Sequence, residues 1–546
     1  MRDNRKDSKR RNFLKYAAMA FLCVTLLGLG VMVGGKASAV SIPIPEGIYP
    51  IELGTGAEEK GVPLATGDSE QIILSTVRKL VKDGKIPKGH KISVLVCEGT
   101  TAQIDWLKPI WKKETGIDIN YITVPLYDLS VKVMAEAVAK SGVYDAMIYP
   151  DEYVADAVES GLLADMTKWI DKYQYNVDKW PSPFTGGTYH KQSLYMGKAY
   201  QLPWDGCIWT PFYRSDLLDD PKEQAAFEKK YGYPLPQWGA DTWNQLYDMM
   251  EFFHRPSMVQ KLPDGSTLKG LNGGWWFRTN EEIGDMFLIK LVSRGGKYFD
   301  DKGDAAIASP EGIAALEELK KETKFIPDVS VTGTWTEMYA DFPAGKNFSA
   351  FSWTSLGKFS TIGAIRGRYK MGKVPGTLVK GKIRRVTLRR GTLAWGISNY
   401  GKDPELAFLF MAYMTSPRIS SICVSKTGYW DPVREGHFTY PPILEIYGAK
   451  RVGIEQTQQS LMNNRFCQTV AMPNLLIERY EEYRENLAAN CHGYVTGTIP
   501  SAGEALKRTA DKWNKITDSV GRQRLLLRWN ALKPNFPAEI RELHGW

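Results

Sequence analysis

Residues that carry metal and redox chemistry are scarce in this chain, with six cysteines and six histidines among 546 residues. The histidines, His90, His190, His254, His437, His492 and His544, are scattered and form no HExxH or paired spacing, and no CxxC occurs, so the sequence offers no zinc-ligand pattern. A GxSxG elbow, a phosphate loop and a dinucleotide fingerprint are also missing, which removes three common enzyme plans. Asp300-Asp-Lys-Gly-Asp304 begins like a calcium loop but lacks the closing glutamate, and reads as an exposed turn. Beyond the first 39 residues no stretch is long and apolar enough to cross a bilayer. Excess positive charge is scarcer than the total of +9 indicates, because the first 39 residues hold eight Lys/Arg and two Asp, leaving 62 basic against 59 acidic residues. No nucleic-acid surface is therefore required. The basic run Lys380-Gly-Lys-Ile-Arg-Arg385, with Arg389 and Arg390, reads as a solvated hairpin rather than an anion-binding face.

What is present begins with an export signal. Lys9-Arg-Arg-Asn-Phe-Leu-Lys15 follows a charged leader, an apolar run extends from Tyr16 to about Gly35, and Ala37-Ser-Ala39 supplies the small residues of a cleavage site. Arg10 and Arg11, with Phe13, Leu14 and Lys15, resemble the signals of twin-arginine export, which carries folded proteins. Residues 1–39 are thus expected to be a signal peptide; left uncleaved, the same run is long enough to anchor the chain. Five cysteines follow it, Cys97, Cys207, Cys423, Cys467 and Cys491, an odd number in an oxidising compartment. Cys467 with Cys491 is the pair to test, although spacing fixes no connectivity.

The mature chain is about 500 residues at 43% hydrophobic content, ample for two cores. Residues 40–90 read as a Pro- and Gly-rich extension with one amphipathic segment, Ser69 to Lys82. Strands are expected at 91–97, 117–123 and 144–149, with helices through Trp111 and over 126–140, the alternation of a parallel sheet with covering helices. Ligands gather at the carboxyl ends of such strands, which singles out Glu98, Thr100, Tyr149 and Asp151. The chain then centres on Ala199-Tyr-Gln-Leu-Pro-Trp-Asp-Gly206 and the extended run to Tyr213-Arg214. Pro203 and Gly206 break the strand and leave Trp204 and Asp205 side by side outside any sheet ladder, where an aromatic face and a carboxylate can meet a polar ligand. A turn with a core tryptophan and a solvated aspartate is the plainer reading.

An ordered series of landmarks gives these segments a family. It runs through Gly116-Ile-Asp-Ile119, Tyr144-Asp-Ala-Met-Ile148, Gly161-Leu-Leu-Ala-Asp-Met166, Leu202-Pro-Trp-Asp-Gly206 and Phe212-Tyr-Arg-Ser-Asp-Leu-Leu218. It continues through Thr242-Trp-Asn-Gln-Leu246, Phe342-Pro-Ala-Gly-Lys346, Phe348-Ser-Ala-Phe-Ser-Trp353, Thr392-Leu-Ala-Trp-Gly-Ile-Ser398, Asp403-Pro-Glu-Leu-Ala-Phe-Leu-Phe-Met411, Thr415-Ser-Pro417 and Gly428-Tyr-Trp-Asp-Pro-Val433. Over residues 91 to 517 the chain resembles extracellular solute-binding proteins of ABC importers, of the maltose-binding-like branch. The resemblance implies an α/β fold of two lobes, each a mainly parallel sheet flanked by helices, with the ligand in the cleft between them. It places lobe 1 at 91–203 with 354–418 and lobe 2 at 209–350 with 419–517, leaving 518–546 as a tail. It also implies a periplasmic, monomeric protein, without catalysis or cofactor, that delivers its solute to an inner-membrane permease.

The ligand class follows from the expected cleft. A sugar ring has an apolar C–H face and a rim of hydroxyls, so it needs aromatic platforms and charged groups for paired hydrogen bonds. Trp204, Trp275, Trp276, Trp353, Trp395 and Trp430 are the candidate platforms, with Glu98, Tyr149, Asp151, Asp205, Asp431 and Arg434 the candidate polar rim. Gly270-Leu-Asn-Gly-Gly-Trp-Trp276 reads as a loop reaching into the cleft, or as a strand with its tryptophans on opposite faces. An oligosaccharide, sugar or polyol is the expected solute. A polyamine or an aromatic cofactor would use the same side chains, and an exported carbohydrate-active enzyme needs only two flanking acids, for example Asp151 and Asp205.

Overall fold

The computed structural model describes residues 69–173, 175, 184–187, 191 and 193–546, all within one compact unit that spans 47–546. Residues 1–68, which include the expected signal peptide at 1–39 and the first part of the expected extension, lie outside the described residues. The amphipathic segment is a helix at Ser69–Lys82, with Ile73, Val77 and Leu80 turned inward at helical spacing.

Eight strands build two main sheets: β1 Lys91–Cys97, β2 Asp118–Val124, β3 Ala146–Pro150, β4 Gln201–Pro203, β5 Trp209–Arg214, β6 Ser349–Trp353, β7 Tyr369–Met371 and β8 Leu393–Ile397. The first sheet has the order β2-β1-β3-β8-β4. Its three leading strands are parallel, linked by helices Leu107–Thr115 and Leu129–Ala139, and Val94, Leu95 and Val96 are fully buried, as expected for a strand covered on both faces. Strand β8 is antiparallel and joins late in the chain, pairing Trp395 with Ile148 on one side and Leu202 on the other.

The second sheet is antiparallel, β6-β5-β7, with Trp209 opposite Trp353 and Phe212 opposite Ala350. Strand β7 pairs here, although it falls inside the 354–418 segment that the resemblance assigns to the first lobe. Trp275 extends this sheet beyond β6, its N–H donating to Ser349 O at 2.9 Å and its carbonyl accepting from Phe351 N at 3.0 Å. The adjoining helix Trp243–Phe253 starts at a capping box made by Thr242 and Gln245.

Helix Pro404–Met414 is buried almost all round and packs on the first sheet, with Pro417–Val424 following it. No single helix among the described residues is long and apolar enough to cross a membrane. Ile454–Thr469 packs on the second sheet, and Tyr480–Val495 and Ala502–Val520 layer over Ile283–Ser293 and Pro310–Glu322. The basic run is a hairpin, Gly376–Val379 with Lys382–Arg385, turning at Lys380 and Gly381 with φ of 50° and 76°, and its Lys382 and Arg384 pair with Glu542. Asp300 closes its own turn, accepting from the N–H of Lys302 and of Asp304 at 2.8 Å.

The Cys467–Cys491 pairing is not made. All five cysteines among the described residues are buried free thiols; Cys467 is held at 3.3 Å by Val374 N beside the second sheet, whereas Cys491 faces the core of the C-terminal helices.

Candidate functional site

The chain passes between the two sheets along three connections, residues 204–208, 389–392 and 425–434, and these meet. Trp204 N and Asp205 N both donate to Leu393 O, at 3.3 and 3.2 Å, laying the first connection on the start of β8. The Trp204 ring packs against Trp430 at 4.5 Å and Trp395 at 5.8 Å. Asp205 Oδ1 accepts from Asp431 N at 2.8 Å, and Thr392 Oγ1 donates to Cys207 O at 2.8 Å. Gly206 permits this closeness: a Cβ there would lie 1.9 Å from Pro432 O. Gln468 Nε2 donates to the carbonyls of both Gly206 and Pro432, at 3.1 and 2.7 Å.

A buried polar knot sits at this joint. Asp205 Oδ2 accepts from Cys207 Sγ at 2.9 Å, and Asp431 Oδ1 accepts from Tyr447 OH at 2.9 Å. Lys358 Nζ donates to Trp430 O at 2.6 Å and Val424 O at 3.0 Å, stapling the third connection to helix Leu356–Ser360. Burial pushes both carboxyls up, Asp431 further because the Asp205 charge adds to it, while Lys358 opposes the rise. Burial likewise pulls the Lys358 ammonium down, against the pull of both aspartates. The ligand atoms of Asp205, Cys207 and Asp431 lie within 4.8 Å of one another. Three of the four carboxylate oxygens already accept hydrogen bonds at 2.8–2.9 Å, and an ammonium stands beside them, so the knot is complete without a cation.

A second charged group lies at the end of β3. Asp151 Oδ1 accepts from Asn474 Nδ2 at 2.7 Å, and burial, then the neighbouring Glu152, push its carboxyl well up. Arg390 pairs with Glu152 and, at 3.0 Å, with Asp285, and its carbonyl accepts from Trp353 Nε1 at 2.6 Å. The cavity of about 20 Å³ beside Asp285, Asn474, Tyr480 and Arg484 is large enough for about one water.

The structure thus separates the sequence candidates. Trp204, Asp205, Trp430 and Asp431 come together, but as the joint, each at most 1% exposed. Trp395 is central in β8 against Phe410, and Tyr149 lies within β3 against Gly396, both fully buried. Trp275 and Trp276 are both core residues of the second sheet's edge, so neither faces solvent. Arg434 is buried, donating to Thr415 O through Nε at 3.1 Å with its guanidinium 3.8 Å over the Phe184 ring. Glu98 is exposed at the end of β1, and Trp353 is half-buried.

Sequence reasoning passed over Cys207, Lys358 and Tyr447, which no motif marks. It also passed over a half-buried aromatic rim. Trp335 and Tyr339, on helix Trp335–Asp341, meet Tyr429 of the third connection at 5.3 and 6.4 Å, and Phe359 stacks on Tyr429 at 5.6 Å. The Tyr429 ring covers Gly99 at the end of β1, where a Cβ would be 2.6 Å from it. The rim thus joins the third connection to the segments on either side of β6, with the end of β1 beneath it. The signal for it was available, since Trp335 and Tyr339 stand four apart on one helix face and Tyr429 precedes Trp430.

A family model of bacterial extracellular solute-binding proteins matches residues 98–419. No curated protein matches the chain at a significant level. Solved structures share its fold at low identity. An ABC transporter solute-binding protein of Agrobacterium radiobacter in complex with ribitol aligns with a TM-score of 0.61 and 16% identity, over 79% of this chain and 99% of that one. Maltose-bound MalE3 of T. maritima gives 0.60 and 18%, over 78% and 100%. A solute-binding protein of Agrobacterium vitis with bound D-mannitol gives 0.59 and 17%, over 79% and 99%.

Proposed function

The chain belongs to the bacterial extracellular solute-binding protein family, and on that premise we propose that it captures a sugar, oligosaccharide or polyol between its two sheets and delivers it to an inner-membrane ABC permease. The observation that carries the solute class is the half-buried rim of Trp335, Tyr339, Phe359 and Tyr429, where the third connection meets the segments on either side of β6, beside a joint rich in buried carboxylates. Flat rings and fixed polar groups are what a polyhydroxylated ligand recognises. Relatives with the same fold hold ribitol, maltose and mannitol, which supports the reading.

The joint residues are sealed from solvent, so the solute contacts the rim first and reaches deeper groups only when the sheets swing apart about the three connections. The lobe boundaries drawn from the sequence remain part of this proposal except at residues 369–371, which go with the second sheet. The family is extracellular, which places the working protein outside the cytoplasmic membrane. Periplasmic delivery through a twin-arginine signal at residues 1–39, a monomeric state and the lack of catalysis, cofactor or nucleic-acid partner are our reading of the sequence. The acids proposed for a glycosidase, Asp151 and Asp205, are both enclosed in hydrogen bonds to protein groups, which favours binding over hydrolysis.

Thermal unfolding of the chain from Val40 onward, against sugars, polyols, polyamines and aromatic cofactors, tests the proposal. A cognate saccharide or polyol raises stability by about 2.7 kcal/mol at a hundredfold excess over its dissociation constant. Trp335→Ala is expected to remove that rise while sparing the unliganded midpoint. The variant is chosen at the rim because Trp204→Ala would delete a fully buried ring and cost about 3–5 kcal/mol of stability by itself. A rise caused only by a polyamine or a cofactor overturns the solute class, and turnover of chromogenic glycosides overturns the non-catalytic reading.

A further inference from the structure

The family match ends at residue 419, and the helices near the C-terminus lie well beyond it. They are rooted in the body of the second sheet. Leu487 and Ala488 press on Gly284 so closely that a Cβ there would meet them at 3.3 and 3.4 Å. Lys320 Nζ donates to Tyr494 O at 2.9 Å, Arg484 Nη1 donates to Glu281 O at 2.7 Å, and Arg522 pairs with Asp304 at 2.6 Å. The Phe299 ring packs on Trp513 and Trp529, at 5.5 and 5.9 Å.

The same helices reach the body of the first sheet. Glu159 ends the helix that follows β3, and Tyr195 lies on the small hairpin that precedes β4. Arg528 donates to Glu159 Oε1 at 2.5 Å and to Tyr195 OH at 2.7 Å, Tyr195 donates in turn to Glu159 at 2.9 Å, and Arg524 holds the other Glu159 oxygen at 3.1 Å. Glu478, nearly buried, accepts from Arg524 at 2.5 Å and forms an ion pair with Arg528 at 2.7 Å, and so fixes their direction. One turn away, Asp156 accepts from Arg479 N at 2.8 Å, and Tyr153 OH donates to Glu481 at 2.7 Å. Burial raises the Glu159 carboxyl, yet Tyr195 and the arginines more than offset this and leave it below the ordinary value. An exposed ion pair contributes little, but here two arginines, a tyrosine and a second carboxylate share one half-buried network.

We propose that helices Tyr480–Val495 and Arg522–Leu532 form a clasp across the two sheet bodies, and that its contacts on Glu159 and Asp156 hold the bodies together in the absence of solute. The clasp rests on the two-body hinge of the proposed function. Swinging the sheets apart must either break these contacts or tear the helices from the second body, and the contacts are the weaker link. Opening for solute therefore carries a salt-sensitive cost set by residues remote from the aromatic rim.

Pulsed dipolar spectroscopy on the full mature chain tests this without any solute. Spin labels go at Val138→Cys, 84% exposed beside the first sheet, and Glu228→Cys, exposed beside the second. The five native thiols are buried, which keeps labelling selective. Raising salt from about 0.05 to about 1 M, where the screening length falls to about 3 Å, should add a second label distance in the otherwise unaltered chain. Glu159→Gln should show that second distance at low salt, with its population ratio to the first raised about fivefold, the size of one half-buried ion pair, and little further salt response. Arg524→Gln, at a half-exposed position, should do the same and serves if Glu159→Gln folds poorly. A single distance in every variant and at every salt, or equal salt response with and without Glu159, overturns the clasp. A failed solute panel beside a salt-dependent second distance overturns the solute reading and leaves the clasp standing.

Discussion

His437 shows how a single buried side chain ties the joint to pH. Its Nδ1 accepts from Val433 N at 3.1 Å and Arg434 N at 3.4 Å, which requires a lone pair there and places the proton on Nε2, facing Ser420 Oγ at 3.2 Å. Burial, then the charges of Arg434 and Lys358, hold its pKa well below 6.5. A depressed pKa means that this contribution to stability is complete above about 6.5 and is lost as pH falls toward the folded-state value. Calorimetric midpoints should drop on acidification below about 6.5, and His437→Gln should flatten that part of the curve. Parallel curves for the two proteins would show that His437 carries no such linkage. Cys207 and Lys358 make the same point about legibility: each takes its role from partners distant in sequence, Thr392 O–H for the Cys207 carbonyl and Trp430 O for Lys358.

At the scale of elements, the strands and helices from Ser69 to Pro150 were readable because short apolar runs and helical spacing suffice when sequence neighbours pack together. The first connection was readable as a break, through Pro203 and Gly206, but not as a joint. Its partners are β8, which joins the sheet after Leu393, and Pro432 of the third connection. Gly206→Ala tests how tightly these strands of chain must run. With a backbone oxygen 1.9 Å from the new Cβ, the connections must separate, and denaturant unfolding should report a loss of about 1–3 kcal/mol. An unchanged midpoint would mean that the joint tolerates a looser path. Trp275-Trp276 were placed by the same mechanism: the backbone of Trp275 is claimed by β6, so a segment that reads as a reaching loop becomes the edge of a sheet.

For the whole molecule, the distribution of tryptophan is the clearest observable. Seventeen occur in the chain, and Trp204, Trp209, Trp275, Trp395 and Trp430 have 1% exposure or less. Emission should be blue-shifted and largely shielded from acrylamide at low salt, because a polar quencher cannot readily enter the packed joint. Weakening the clasp with Glu159→Gln should increase the quenched fraction by opening the joint, and a cognate solute should reverse the increase. Quenching that is extensive from the outset would contradict the closed packing of Trp204 on Trp430.

The sequence by itself determined the class of fold, the order of its first elements and the family, since these depend on local periodicity and an ordered set of short motifs. Tertiary structure alone decided which aromatic and acidic residues face a cavity, a joint or a core. Trp204, Asp205, Trp430 and Asp431 have side chains that suit a sugar site and that suit a core or a turn equally well. Their burial arises because three connections separated by up to about 230 residues are forced through one crossing between the sheets, and that proximity is a property of the closed topology and not of any local pattern.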